Sequence, residues 1–331
     1  MTPEIMNANR HSFNHIVAFE VSKAKLHVHV LPDAVSCEIA NEGAAVRQLI
    51  KRELRKNQRR GQGPLLVVCE ATGSYSRIVI DCAAELGVAC HRAHGSRVRA
   101  FAKFRGTHAK SDPIDVRVIA DYARSSESLQ LHEPPRPAQA ELRELVGRRT
   151  ELREVKEAEE ARVEHVATKL VASGMRAHIR SLEGMIAKID RRIAALMEAD
   201  QQFAQAARLM ISVKGVGMGT AAVILAYLPE IGTVSSGTIA ALAGLAPYDD
   251  DSGRTKGKRH IFGGRAEVRA GLYMPAVVAM RHNAHLRDLA ERIKLKGNAF
   301  KIAVTAVMRK MLIILNAIVA SGKPCQMAAA T

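Results

Sequence analysis

The sequence predicts an α/β plus α fold: a mixed sheet with helices on both faces, then long paired helices, then a mainly helical C-terminal region. Three observations predict it. Strand-like segments, a period-two alternation at residues 26–30 and a short continuous apolar run at residues 65–69, lie before residue 95. Leu131-His132-Glu133-Pro134-Pro135-Arg136-Pro137 places three prolines within four positions, which no helix can continue through. From Ala138 onward the chain is rich in Glu, Arg, Ala and Leu at helical spacing.

The elements follow in order. Residues 16–21 form a strand, a turn follows at Ser22-Lys23-Ala24, and Leu26–Val30 alternates as a second strand. A shorter strand lies near Val35–Ile39. Residues 43–59 make an amphipathic basic helix stopped by Gly61-Gln62-Gly63-Pro64. Leu65–Cys69 is apolar throughout, as a central strand must be. A helix over 75–86, a strand over 88–91 and helices over 95–104 and 112–124 complete a β-β-β-α-β-α-β-α order, that of a ribonuclease H-like domain. Two long helices between Ala138 and Asp200, broken near Ser173-Gly174, read as a hairpin or coiled coil suited to spacing or oligomerisation. Residues 205–325 form a further compact, mainly helical domain.

Composition narrows the function. The chain has 331 residues, 47% of them hydrophobic, enough for about two cores and too many for a disordered chain. Lysine and arginine number 49 against 33 acids, a formal net charge of +16, which favours a polyanionic partner. The excess is concentrated at residues 47–60 and again at 253–270. Residues 303–320 are apolar but interrupted by Arg309 and Lys310, so no membrane span is expected, and Met1–Asn14 lacks the apolar core of a signal peptide. Five cysteines without a CxxC pair fit a reduced, cytoplasmic setting and disfavour zinc.

Four acids stand where a two-metal nuclease needs them. Glu20 interrupts an apolar strand and Glu70 ends the central one. Asp112 and Asp115 share one side of a helix's first turn. A carboxylate at a strand end is costly unless paired or metal-bound, and hard oxygen donors suit Mg2+, two of which can clamp a phosphodiester. Asp112 also reads as a helix cap ahead of Pro113.

Two later segments point to phosphate. Ile211–Ala221 carries Lys214-Gly215-Val216-Gly217 between helices, a helix-hairpin-helix-like element in which glycines let backbone amides approach a phosphate; the other reading is a tight turn between packed helices. Ser252 follows three aspartates and precedes Arg254, Lys256, Lys258 and Arg259, with Arg265 beyond. A serine before glycine is ordinarily a turn residue, and becomes a nucleophile only where a base or metal activates it and cations hold the charge. Tyr75 and Tyr273 are expected to pack. His27, His29, His91, His94 and His108 are expected to face solvent. The helix at 47–60 is either a solvated face or a support for RNA.

Taken in order, Glu20-Val-Ser-Lys, Glu70-Ala-Thr-Gly, Lys110-Ser-Asp112-Pro-Ile-Asp115, Val213-Lys-Gly-Val-Gly, Gly244-Leu-Ala-Pro…Ser252-Gly and Arg269-Ala-Gly-Leu-Tyr-Met-Pro resemble the DEDD transposases of the insertion-sequence one-ten family, bridge-RNA-guided recombinases related to pilin-gene invertases. The resemblance spans about residues 15–325. It implies a RuvC-like nuclease domain over 1–128, a linker and coiled coil over 129–204, and a transposase domain with a catalytic serine over 205–331. It further implies Mg2+ on Glu20, Glu70, Asp112 and Asp115, with Ser252 forming a covalent phosphoserine on the scissile phosphate. Donor and target DNA would be partners, with a noncoding bridge RNA setting the sequence. The protein would be a homo-oligomer, dimer to tetramer, pairing one subunit's acids with another's serine. The family's first acid is normally aspartate, and here Glu20 is one methylene longer. A junction-resolving nuclease using only the acids, and a nucleic-acid-binding relative without activity, are the alternatives.

Overall fold

The computed structural model describes residues 13–325 apart from 72, 74, 108–110, 128, 250–256, 258 and 298, and apart from the Pro113 side chain. The chain divides at Pro134/Pro135 into two units.

In the first unit, β1 (His15–Val21), β2 (Lys25–Leu31), β3 (Val35–Ala40), β4 (Leu65–Glu70) and β5 (Ala89–Ala93) build one sheet in the order β3-β2-β1-β4-β5. β1 pairs antiparallel with β2 and β2 with β3, whereas β1–β4 and β4–β5 are parallel. The parallel pairs need crossovers, supplied by α1 (Gly43–Arg60) and α2 (Arg77–Glu85). Strand alternation divides the side chains between two cores. Val17, Phe19, Val28, Val67 and Cys69 pack with Val46 and Ile50 of α1 and Val79 and Cys82 of α2. Ile16, Ala18, Leu31, Leu66 and Val68 pack on the other face with Val98 of α3 (Gly95–Phe104) and Val116, Ile119 and Ala120 of α4 (Asp112–Ser125). The central strands are apolar on both faces because both are covered, as the run at 65–69 demanded.

α1 meets β1 at a buried contact between Glu53 and His15. His15 Nε2 lies 3.3 Å from Glu53 Oε2, and both side chains are fully buried. Arg52 Nε and Lys56 Nζ reach the other carboxylate oxygen at 2.9 and 3.1 Å. Burial pushes the Glu53 pKa up, but the hydrogen bonds from Lys56 and Arg52 outweigh it and leave the carboxyl below its usual range. A depressed folded pKa stabilises the fold above the unfolded value, near 4.5, and that contribution is lost as pH falls through the folded value. Glu53→Gln should therefore cost about 2 kcal/mol at neutral pH and less in acid. Amide hydrogen exchange of α1 and β1 at both pH values would measure it, and equal protection in variant and parent at neutral pH would contradict it.

The second unit is mainly helical. α5 (Pro137–Val163) and α6 (Lys169–Ala199) pair as the expected hairpin. The break differs from expectation: it lies at 164–168, with Thr168 as the extended residue that starts α6, while Ser173 and Gly174 continue the helix. A glycine in a helix costs only about 1 kcal/mol, and Gly174 meets no neighbouring atom, so nothing forces the chain to turn there. At the hairpin's root, Leu142, Val146, Ile193, Leu196 and Met197 belong to the main core of the unit. Farther out, Leu152, Leu182 and Ile186 form a small cluster of their own.

α7 (Gln201–Ile211), α8 (Met218–Tyr227), α9 (Ser236–Leu242), a short ladder of β6 (Pro247–Tyr248) with β7 (His260–Ile261), α10 (Ala266–His282), α11 (Ala284–Leu295) and α12 (Phe300–Ser321) complete the chain. α12 is long and apolar enough by length and composition to cross a membrane, with a mean hydropathy of 1.9. Half of it is buried inside the unit, and it packs against α7, α9, α10 and α11 as a core helix. The interruption by Arg309 and Lys310 does not prevent this, since Lys310 is exposed and Arg309 only half-buried.

Candidate functional site

The sheet brings the acids of the first unit to one face. Ile16 and Ala18 on β1, and Leu66 and Val68 on β4, point toward α4, so the same parity continues to Glu20 and Glu70. The two strands are parallel and in register to Phe19–Cys69, which leaves Glu20 and Glu70 one residue beyond that pair, at neighbouring C-terminal ends. Directly opposite Glu20 on β2 stands His27. Asp112 and Asp115 lie in the first turn of α4, the helix that packs over β1 and β2. Asp112 opens the helix after Ser111, whose carbonyl accepts from the Ile114 and Asp115 amides.

His27 Nε2 is 3.2 Å from Asp112 Oδ2 and 3.7 Å from Glu38 Oε2. Glu38 is bound in turn by Lys25 at 2.6 Å, a hydrogen bond that pulls the Glu38 pKa down. Glu70 reaches the start of α3: a Cβ on Gly95 would overlap its Oε1, so only glycine leaves the carboxylate room there. Glu20, Glu70 and Asp115 are partly buried, and Asp112 is exposed. As donors these are hard oxygens on one sheet face, the chemistry a divalent cation requires. Among the described residues, no three His, Cys, Asp or Glu side chains converge closely enough to hold a metal ion. Asp112 is turned onto His27 instead.

The histidines depart from expectation. His29 and His91 are buried; His29 Nδ1 lies 2.8 Å from Ser36 Oγ, and His91 Nδ1 lies 2.8 Å from the Gln130 carbonyl. Burial lowers both pKa values. Sequence alternation placed His29 on a strand face correctly but could not show that α4 covers it. His94 is exposed and caps α3, and His108 lies outside the described residues. Tyr75 and Tyr273, expected to pack, are 44% and 38% exposed.

In the second unit the turn between α7 and α8 holds Lys214, Gly215 and Gly217. Lys214 is exposed, and Gly217 precedes α8 with open space where a side chain would be. Gly215 has a left-handed φ of 98°, and a Cβ there would press on the Pro275 carbonyl and Ala279 of α10. That glycine is required by helix packing whatever else the turn does.

Ser252, Arg254, Lys256 and Lys258 lie outside the described residues. What is described is the frame at either end of their segment. Pro247 pairs with Ile261 and Tyr248 with His260. Below the ladder, Gly244 and Gly264 meet backbone to backbone, both at left-handed φ near 66°, so closely that a Cβ on either would overlap the other strand of the loop. Arg269 closes the same joint by donating to the Ala243 and Gly263 carbonyls at 3.1 and 2.6 Å. Arg259 is exposed and pairs with Asp249 at 2.5 Å. Arg265, expected at phosphate, grips Glu230 through two hydrogen bonds of 2.5 and 2.6 Å and the Tyr227 carbonyl at 2.8 Å. That bidentate clamp ties the start of α10 to the segment after α8. Sequence reasoning passed over Gly95 and Gly264, and it gave His27 and Arg269 no such contacts. Only the Gly263-Gly264 pair carried a visible signal, as a turn dipeptide.

Two family models match successive parts of the chain, the first running across the division at Pro134/Pro135. A family model described as DEDD_Tnp_IS110, transposase, matches residues 17–171, and a second, described as transposase IS116/IS110/IS902 family, matches residues 206–291. The pilin gene-inverting proteins of Moraxella lacunata and Moraxella bovis are each 27% identical over 265 residues, covering 78% of this chain and 81% of theirs. One model takes in the acidic sheet face and the next the glycine-closed loop, in the order the chain presents them, and the protein belongs to the IS110 family of transposases.

Proposed function

We propose that this transposase cuts and rejoins donor and target DNA through a covalent phosphoserine at Ser252, in the cytoplasm, with a noncoding bridge RNA choosing the sites by base pairing. The observation that carries the reading is the pair Glu20 and Glu70 at the C-terminal ends of adjacent parallel strands, with Asp112 and Asp115 on the same face. The strand order β3-β2-β1-β4-β5 supports a RuvC-like, ribonuclease H-type domain.

Glu20, Glu70, Asp112 and Asp115 would hold magnesium, which when bound supplies charge for the scissile phosphate's developing negative oxygens. His27 keeps Asp112 in place until it is recruited to that set. Ser252 Oγ forms a bond to phosphorus as the scissile P–O bond breaks, and the hydroxyl proton ends on the departing oxygen. The phosphodiester's bond energy is conserved in the adduct, so rejoining needs no further energy source. Arg254, Lys256, Lys258 and Arg259 lie near enough in sequence to neutralise the phosphate, while Lys214, Gly215 and Gly217 would grip backbone phosphates on the same unit. The α5–α6 hairpin supports an oligomer: Val155, Leu170 and Val171 are exposed apolar side chains along it.

The test mixes the protein, its flanking RNA, labelled donor and target DNA, and magnesium. A denaturing gel should show a protein–DNA adduct that needs RNA and vanishes with Ser252→Ala. Cleavage with no adduct, unchanged by that substitution, would replace this reading with a hydrolytic junction nuclease.

A further inference from the structure

α1 turns a row of cations outward. Its inner face is fixed by Val46, Leu49, Ile50, Glu53 and Asn57, all buried. Its outer face forms a shallow groove of about 670 Å³ whose charged lining is Arg47, Lys51, Arg52, Arg55, Lys56 and Arg59, with no acid among them. Some of this charge is already balanced: Arg47 pairs with Glu85, and Arg52 and Lys56 with the buried Glu53. Lys51, Arg55 and Arg59 have no acidic partner among the described residues.

These three are spaced four apart, about 6 Å of rise per step along one side of the helix. Like charges at that spacing repel, by roughly 0.2–0.5 kcal/mol per pair. The helix's C-terminal dipole offsets this for Arg59 only. An outward row that weakens its own helix, above a buried Glu53 that Arg52 and Lys56 already neutralise, matches a linear polyanion whose successive charges recur at comparable spacing. Resting on the RNA-guided reading above, we propose that the outer face of α1 docks the phosphodiester backbone of an RNA strand, through Lys51, Arg55 and Arg59. The surface is separate from the acidic face: α1 packs with the core on one side of the sheet, and α4 covers the other.

The test is a salt titration of binding by the full-length protein, with two labelled probes: a duplex DNA and an RNA hairpin. Lys51→Gln/Arg55→Gln/Arg59→Gln should weaken binding of the RNA hairpin by about tenfold or more and lower its slope of log K against log salt by roughly 2–3. The duplex should keep its slope, and a loss confined to the duplex would overturn the proposal. A control variant, Arg148→Gln/Arg162→Gln/Arg192→Gln, removes the same net charge from arginines paired with glutamates and should change the slope by less than one. Equal losses in both variants would reduce the effect to net charge and overturn the proposal, as would unchanged slopes for both probes. Thermal melting should show the α1 variant as stable as the parent, or slightly more so. Adduct formation at Ser252 is a separate readout, so its failure would leave this binding result standing.

Discussion

If Glu70 holds magnesium as proposed, Glu70→Gln is expected to cut DNA strand cleavage by about a hundredfold or more while leaving the folded sheet as stable as before, because several kcal/mol of charge stabilisation would go with the carboxylate. Glu70 stands at the end of β4 with only part of its side chain buried, so the neutral amide keeps the packing of that end. Gly95→Ala should give a graded form of the same loss. Its new Cβ would occupy the position of Glu70 Oε1 and push the carboxylate aside. Raising the magnesium concentration should restore part of the Gly95→Ala activity and none of the Glu70→Gln activity. Normal cleavage by Glu70→Gln at matched protein and metal would remove Glu70 from the site.

Gly264→Ala is expected to cost the second unit about 4 kcal/mol, a larger loss than Glu53→Gln brings to the first. The left-handed φ of 67° contributes roughly 1–2 kcal/mol against any residue with a Cβ. Forced separation of the two backbones, since that Cβ would land on Gly244, adds about 1–3 kcal/mol. Arg269 would also lose its grip on the Gly263 carbonyl as the joint opens. Denaturant unfolding of the full-length chain, followed by exchange protection in α9 and α10, would report this. A Gly264→Ala protein with unchanged protection there would show that the joint can open without penalty.

Much of the first unit was legible because its rules are local. The alternation in β1 and β2, the apolar run of β4 and the glycine after α1 each specify an element without reference to its neighbours. The face shared by Glu20, Glu70 and α4 followed from the same parity. What sequence could not give was anything decided by covering or close approach. His29 looks exposed until α4 lies over it, and Arg265 looks like a phosphate ligand until Glu230 comes within reach from a segment 35 residues earlier. Gly244 and Gly264 read as two ordinary loop glycines because their meaning lies in each other. Ser173-Gly174 looks like a stop signal in sequence, but an exposed helical glycine carries only a small penalty, and the hairpin turns at 164–168. The two-residue strands β6 and β7 are too short to leave a periodic signal.

The place of α12 in the core has a consequence for how the protein is made. It covers α7, α9, α10 and α11, so the apolar faces of those helices stay open until Phe300–Ser321 has been synthesised. The sheet unit has all its strands by Ala93 and can close long before that. Translation thus separates the two units in time: the acidic face forms early on a nascent chain, whereas the glycine-closed joint of Gly244 and Gly264 stays unfinished until the ribosome has passed the last core helix.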